Sequence, residues 1–158
     1  MGIILADSLK SCTGKFAVEV YKKGVLQDRY ADHNLVVDAG RNRLANLAAG
    51  LSTSAVKYIG LGSGSVKEGP ADTKLQEQQL FPIDKVSVNG KDARFDFTIK
   101  ENQANGLSVR EFGLFCADKT MFSHRVRLSV NDDTQEEKVL TIDKAPDIEI
   151  RGYWVLHF

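Results

Sequence analysis

The chain has 158 residues, enough for one domain of about 100–200 residues with its own core. Apolar residues make up 42% and charged ones 27%, which excludes an intrinsically disordered chain. Lys plus Arg and Asp plus Glu number 21 each, and this zero net charge excludes a general nucleic-acid binder with a basic excess.

The N-terminus, MGIILADSLK, lacks the basic flank and long apolar run of a secretory signal. Ala6 stands where a myristoylation signal needs Ser or Thr. No run approaches the ~20 apolar residues of a membrane span, so a soluble protein is expected. Residues 1–14 read as an N-terminal arm ahead of one β domain. Its apolar residues Ile3, Ile4 and Leu5, with Phe158 at the other end, are the candidate partner interface.

Lys15 to Tyr21 alternates apolar and polar residues, as a half-buried strand does. Lys22-Lys23-Gly24 turns it into a second strand, Val25 to Val37. Asp38 is placed to cap a short α-helix over 39–49. Leu44, Leu47, Ala48 and Leu51 form its apolar face, and Gly50 its stop. Val56 to Leu61 is a short buried strand running into Gly62-Ser63-Gly64-Ser65. Pro70 to Leu75 reads as one helical turn with proline near its start. Leu80 to Val88 is a strand with an irregularity at Pro82, and Asn89-Gly90 is the strongest hairpin signal in the chain. Ala93 to Lys100 returns with strict alternation.

Gly106 to Val130 reads as a long hairpin around Ala117-Asp118-Lys119-Thr120. Leu107 and Val109 set one apolar phase, and Phe112, Leu114 and Cys116 another. A bulge near Glu111 reconciles them. Beyond the turn, Phe122, His124, Val126, Leu128 and Val130 share one face, and Ser123, Arg125, Arg127 and Ser129 the other. An acidic loop, a weaker strand over Lys138 to Ile142 and a last strand over Asp147 to Phe158 complete the chain. Ile148, Ile150, Trp154, Leu156 and Phe158 fall on one face of that last strand. Short strands with Gly, Asn and Pro punctuation predict a mainly β fold, an antiparallel sandwich or barrel-like domain with one short helix.

The chemistry-bearing residues make no recognised motif. GLGSGS has Ser65 where a dinucleotide fingerprint needs its third glycine, and Pro70 where a phosphate loop needs lysine. It reads instead as a flexible connection whose glycines supply positive φ. His33, His124 and His157 lack metal-ligand spacing, and His124 reads as a half-buried, satisfied side chain. The elbow around a nucleophilic serine has the wrong spacing at Gly62-Ser63-Gly64. Asp92 and Asp96 share a strand face, where exposed surface charge is the simpler reading. The acidic loop lacks the residue order of a calcium hand. Arg110, Arg125, Arg127 and Arg151 are expected in cross-strand ion pairs. Cys12 and Cys116 are too few for a disulfide framework and read as reduced thiols, Cys116 on an apolar face.

Several phrases together carry a resemblance. They are His33-Asn34-Leu35-Val36-Val37-Asp38-Ala39-Gly40-Arg41-Asn42, Lys57-Tyr58-Ile59-Gly60-Leu61-Gly62-Ser63-Gly64 and Pro70-Ala71-Asp72-Thr73-Lys74-Leu75. Arg110-Glu111-Phe112-Gly113-Leu114-Phe115, Phe122-Ser123-His124-Arg125-Val126 and Ile148-Glu149-Ile150-Arg151-Gly152-Tyr153-Trp154 follow. In this order they resemble small bacteriophage and prophage tail structural proteins of the baseplate and tail-fibre region. The resemblance spans about residues 33–158 and transfers no catalytic residue. It implies a non-enzymatic virion component that binds other tail or baseplate proteins and itself. No cofactor, metal, nucleic acid, membrane or small-molecule substrate is expected. The alternative is a carbohydrate- or ligand-recognition β domain at a fibre tip.

Overall fold

The computed structural model describes residues 12–158. The first half holds β1 (Thr13–Lys22), β2 (Val25–Val36), α1 (Asp38–Ala48), β3 (Val56–Gly62), β4 (Gln79–Pro82), β5 (Lys85–Asn89) and β6 (Asp92–Ile99). The second holds β7 (Ser108–Val109), β8 (Glu111–Cys116), β9 (Met121–Val126), β10 (Leu128–Val130), β11 (Glu137–Val139), β12 (Ile142–Asp143) and β13 (Ile148–His157). Nine strands form one antiparallel sheet in the order β4-β3-β8-β9-β2-β1-β13-β6-β5. The pairs β10–β11 and β7–β12 lie outside it. The fold is mainly β with one short helix, as the alternation patterns predict.

The sheet curls into a half-barrel because its two edges are tied together. β4 and β5 lie at opposite ends of the strand order, yet only Ile83 and Asp84 separate them. Three Cα steps span at most about 11 Å. The Ile83 N–H donates to the Lys57 carbonyl of β3, and the Asp84 N–H to the Asp96 carbonyl of β6, each at 2.9 Å. One extended run therefore touches both halves of the sheet. This is the irregularity expected at Pro82, one residue further on.

Alternation fills the interior. β1 contributes Phe16, Val18 and Val20; β6 contributes Phe95, Phe97 and Ile99; β13 contributes Ile150, Trp154 and Leu156. Phe16 sits at the centre, its ring centroid 4.8 Å from those of both Phe112 and Trp154. Each such aromatic pair adds about 0.5–1.5 kcal/mol beyond the area it buries. Cys116 is buried in the same core and Cys12 packs at its margin; both thiols are free. Burial pushes each thiol up to about 11.

The turns expected at Lys23-Gly24 and Asn89-Gly90 are present. Lys23 and Gly24 both take positive φ, and Gly90 does so at the second turn. Other expectations are corrected. Asp38 is the first residue of α1 rather than its cap. Val37 holds the cap position, and the Asp38 N–H donates to the Pro70 carbonyl at 2.8 Å. That bond occupies the carbonyl which would start a helix at Pro70. Pro70 to Leu75 is instead a turn and loop, with the Asp72 carboxylate accepting the Gly69 N–H at 2.7 Å. Leu44 packs on the core, but Leu51 lies past the helix and is 78% exposed. Lys138 to Ile142 is no single strand, because the chain passes from β11 to β12 there.

The stretch from Gly106 to Val130 is not one long hairpin. It breaks at Arg110 and Arg127, where the Arg127 N–H donates to the Arg110 carbonyl at 2.8 Å. The phase change thus falls one residue before Glu111, and Val109 and Phe112 both enter the main core. A second shift follows the turn. Leu114 pairs with Ser123 and Phe115 with Met121, which leaves Phe122 as the extra residue. Phe122 enters the main core, while His124 lies opposite Gly113 on the face of Glu111. Phe122 and His124 therefore do not share a face. Arg127, expected on a polar face, is 1% exposed.

Helix α1 rests on β9 through Gly40. A Cβ there would overlap the Phe122 carbonyl, with its carbon only 2.9 Å away. In an open helix Gly→Ala stabilises by about 1 kcal/mol. Here the obstacle is backbone, so Gly40→Ala should destabilise by about 1–3 kcal/mol, read as a lower urea midpoint at unchanged slope.

Candidate functional site

Three features stand out as places where the molecule could act: a charged cleft, a hollow on the outer sheet face, and the open edge β5.

The cleft is built by the loop from Ser63 to Gln78, which straps across β8 and β9. Leu75 anchors the strap in a small second core with Val37, Phe115 and Met121. The Ser63 N–H donates to the Gln76 carbonyl at 2.9 Å, and the Gln76 N–H to Glu111 Oε1 at 3.2 Å. Glu68 accepts the Val126 N–H at 3.0 Å and pairs with Arg125 at 2.8 Å. Asp72 Oδ2 lies 2.7 Å from His124 Nδ1. The strap is thus clasped by two acids, Glu68 and Asp72, onto the consecutive residues Arg125 and His124. Beneath it a cleft of about 490 Å³ reaches His124 and Glu111, with Lys67 and Lys74 among its lining residues.

His124 and Glu111 are buried polar residues. Nε2 stands 3.6 Å from Glu111 Oε1, an ionic contact too long for a hydrogen bond. Burial alone would depress His124, but the Glu111 and Asp72 carboxylates on either side prevail and raise it above 6.5. The protonated ring then donates from Nδ1 to Asp72 and holds Glu111 by charge at Nε2, a clasp between two acids. The glycines of GLGSGS serve this arrangement. A Cβ at Gly64 would overlap the Glu111 carboxylate, and one at Gly62 would sit 2.9 Å from Glu111 Cγ. Neither glycine has positive φ. Close approach, not turn geometry, is their role, which corrects the expectation for this segment.

Of the four arginines expected in cross-strand ion pairs, Arg125 and Arg127 form them, while Arg151 pairs within its own strand and Arg110 forms no ion pair among the described residues. β2 and β9 pair only at Leu35–His124 and Val36–Ser123. Past that point side chains replace the ladder. Arg125 pairs with Asp32 and donates to Tyr30 Oη at 3.0 Å, while Arg127 lies over the Tyr30 ring and 3.3 Å from Asp28. Arg151 pairs with Glu149 on its own strand, and Arg110 donates to the Ser63 carbonyl at 3.1 Å. Asp92 and Asp96 do not meet: they pair with His157 and Arg94. Among the described residues, no cluster of three or more His, Cys, Asp or Glu could hold a metal ion. None of the described helices is long and apolar enough to cross a membrane.

The hollow lies on the outer face, where Ala31, Ala17 and Tyr153 form one cross-strand row. The two alanines leave a depression of about 400 Å³ bordered by Lys15, Asp32, His33 and Tyr153. Arg94 lies over the Tyr153 ring, 4.1 Å from its centroid.

Among the described residues, β5 pairs with β6 alone. Val86 and Val88 face the inner side, in register with Phe95 and Ala93, yet they are 55% and 72% exposed. The apolar inner face therefore continues to an uncovered edge. Phe158, 48% exposed, lies beside the β5–β6 turn, its N–H donating to the Lys91 carbonyl at 2.9 Å. The other three candidate interface residues, Ile3, Ile4 and Leu5, lie outside the described residues.

No family model, curated protein or solved structure matches the chain.

A raised histidine stabilises the fold fully below its unfolded value near 6.5, and the gain is lost as pH rises through the folded value. The stability difference between wild type and His124→Gln should therefore shrink as pH rises from 5.5 to 8.5. Urea midpoints across that range test this, and a constant difference would show that the clasp carries no charge.

Proposed function

We propose that this chain is a non-enzymatic structural component of a phage or phage-derived tail, joining a symmetric assembly by protein–protein binding. The observation that carries the binding part is the β5 edge, whose two exposed valines lie beside main-chain groups that no described strand pairs. Such an edge is a template for another strand, and soluble proteins usually blunt it with charge, proline or a bulge. β4, the opposite edge, ends in Pro82; β5 has no such protection along Val86-Ser87-Val88. The tail setting, at the baseplate or fibre attachment and hence in the virion, rests on the sequence resemblance alone. Its partners are then other tail proteins and further copies of itself.

Native mass measurement of the chain alone, and mixed with the products of adjacent genes, tests this reading. Complexes are expected, weakened at least tenfold by Val88→Lys. A strict monomer that binds none of them sinks it.

A second reading has its own observation, the hollow beside Tyr153. An aromatic wall and polar rim over a small-residue floor suit a sugar ring, as at a fibre tip. Under that reading Tyr153→Ala removes binding to immobilised glycans and leaves the thermal midpoint within a few degrees of wild type. Glycan binding that survives Tyr153→Ala would exclude this hollow.

A further inference from the structure

We infer that β5 pairs with β5 of a second copy of this chain, antiparallel about a two-fold axis through Ser87. This deepens the assembly reading by naming the partner at that edge, and it rests on that reading of β5.

The register follows from the backbone. β5 and β6 are joined by the two-residue turn Gly90-Lys91, so the Asn89 carbonyl bonds toward Asp92. Main-chain direction alternates along a strand, so Lys85, Ser87 and Asn89 point their N–H and C=O groups at β6. Val86 and Val88 point theirs at the open side. Two copies centred on Ser87 bring Val86 opposite Val88 of the other copy, twice. Each pair exchanges both main-chain hydrogen bonds, and all four exposed valines meet on the inner face. Sliding by two residues keeps only one valine pair, Val86 with Val86 or Val88 with Val88, and sets the remaining valines against Asp84 or Gly90. Sliding by one sets valine against serine on opposite faces. Only the Ser87-centred register combines the main-chain hydrogen bonds with the pairing of all four valines.

Charge agrees with it. In this register Asp84 falls opposite Gly90 of the other copy, directly beside that copy's Lys91. All three residues are exposed, and the pairing occurs twice by symmetry. A self-complementary patch of this kind is what a two-fold interface requires. Five residues of edge bury well under the roughly 800 Å² per partner of a stable interface. The contact is therefore weak alone and gains strength where other tail contacts hold the copies close.

Ser87 provides the test. It forms the non-hydrogen-bonded pair across the axis, where Cα atoms approach to about 4.5 Å, within disulfide range. Lys85 and its symmetry mate are about 14 Å apart, out of range. With Cys12→Ser as background, Ser87→Cys should form a disulfide dimer under mild oxidation at least tenfold faster than Lys85→Cys. Adding Val88→Lys to the Ser87→Cys chain should remove that advantage. Equal rates for the two cysteine variants overturn the inference, as does a Ser87→Cys rate unchanged by Val88→Lys. If the edge takes a strand from a different tail protein, Ser87→Cys stays monomeric alone, which also overturns it. In that case complexes seen by native mass leave the broader assembly reading standing.

Discussion

Two residues, Ile83 and Asp84, join strands that stand at opposite ends of a nine-stranded sheet. A flat sheet of that width would hold its edges about 38 Å apart. The link allows less than a third of that, so the sheet must curl. The interior follows from the curl: β1, β6 and β13 face β3, β8 and β9 across the ring of Phe16. The same link leaves β5 with one neighbour among the described strands. β4 bonds to β3 on one side of the run and β5 to β6 on the other, so closure at Ile83-Asp84 does not extend along Val86 and Val88.

Where main-chain pairing runs out, buried charge takes over. β2 leaves β9 after two residue pairs, and Arg125, Arg127 and Tyr30 bridge the gap that opens. Across β8 and β9 the strap is held by Glu68, Asp72 and Glu111 against Arg125 and His124. Taking such groups out of water costs several kcal/mol per ion, and attraction between them offsets this only in good geometry. Removing one partner is therefore worse than removing the pair. These contacts fix how the strap lies more than they raise stability.

Alternation made much of the sheet legible in the sequence. Phe95, Phe97 and Ile99 face inward as their spacing says, and the Asn89-Gly90 and Lys23-Gly24 turns lie where their residue types put them. The helix was legible from Leu44, Leu47 and Gly50. Errors arose where one residue carries two jobs. Pro70 reads as a helix start, but its carbonyl serves α1. Phe122 is an extra residue in β9, and one such insertion reverses the face of everything beyond it. The clasp at His124 was not legible, because its acids lie 13 and 52 residues away and meet it only through the fold. One signal was available: glycine recurs at every second position, Gly60 and Gly62 in β3 and Gly64 just past it, and a chain gives up side chains like that where something large lies against it.

The position of β13 bears on how the chain comes to be folded. Its ten residues lie between β1 and β6, with Thr13 paired to His157 and Trp154 set against Phe16. The hairpins β1–β2, β5–β6 and β8–β9 are local and can form as synthesis proceeds. β1 and β6 cannot complete their pairing or the burial around Phe16 until β13 arrives between them. Until then β1 and β6 each expose a bare edge, flanked by Phe16, Phe95 and Phe97. Long-range pairing of this kind is slow to nucleate. A newly made chain therefore passes through a stage in which its stickiest strands lack their final neighbour, and the arrival of β13 ends that stage.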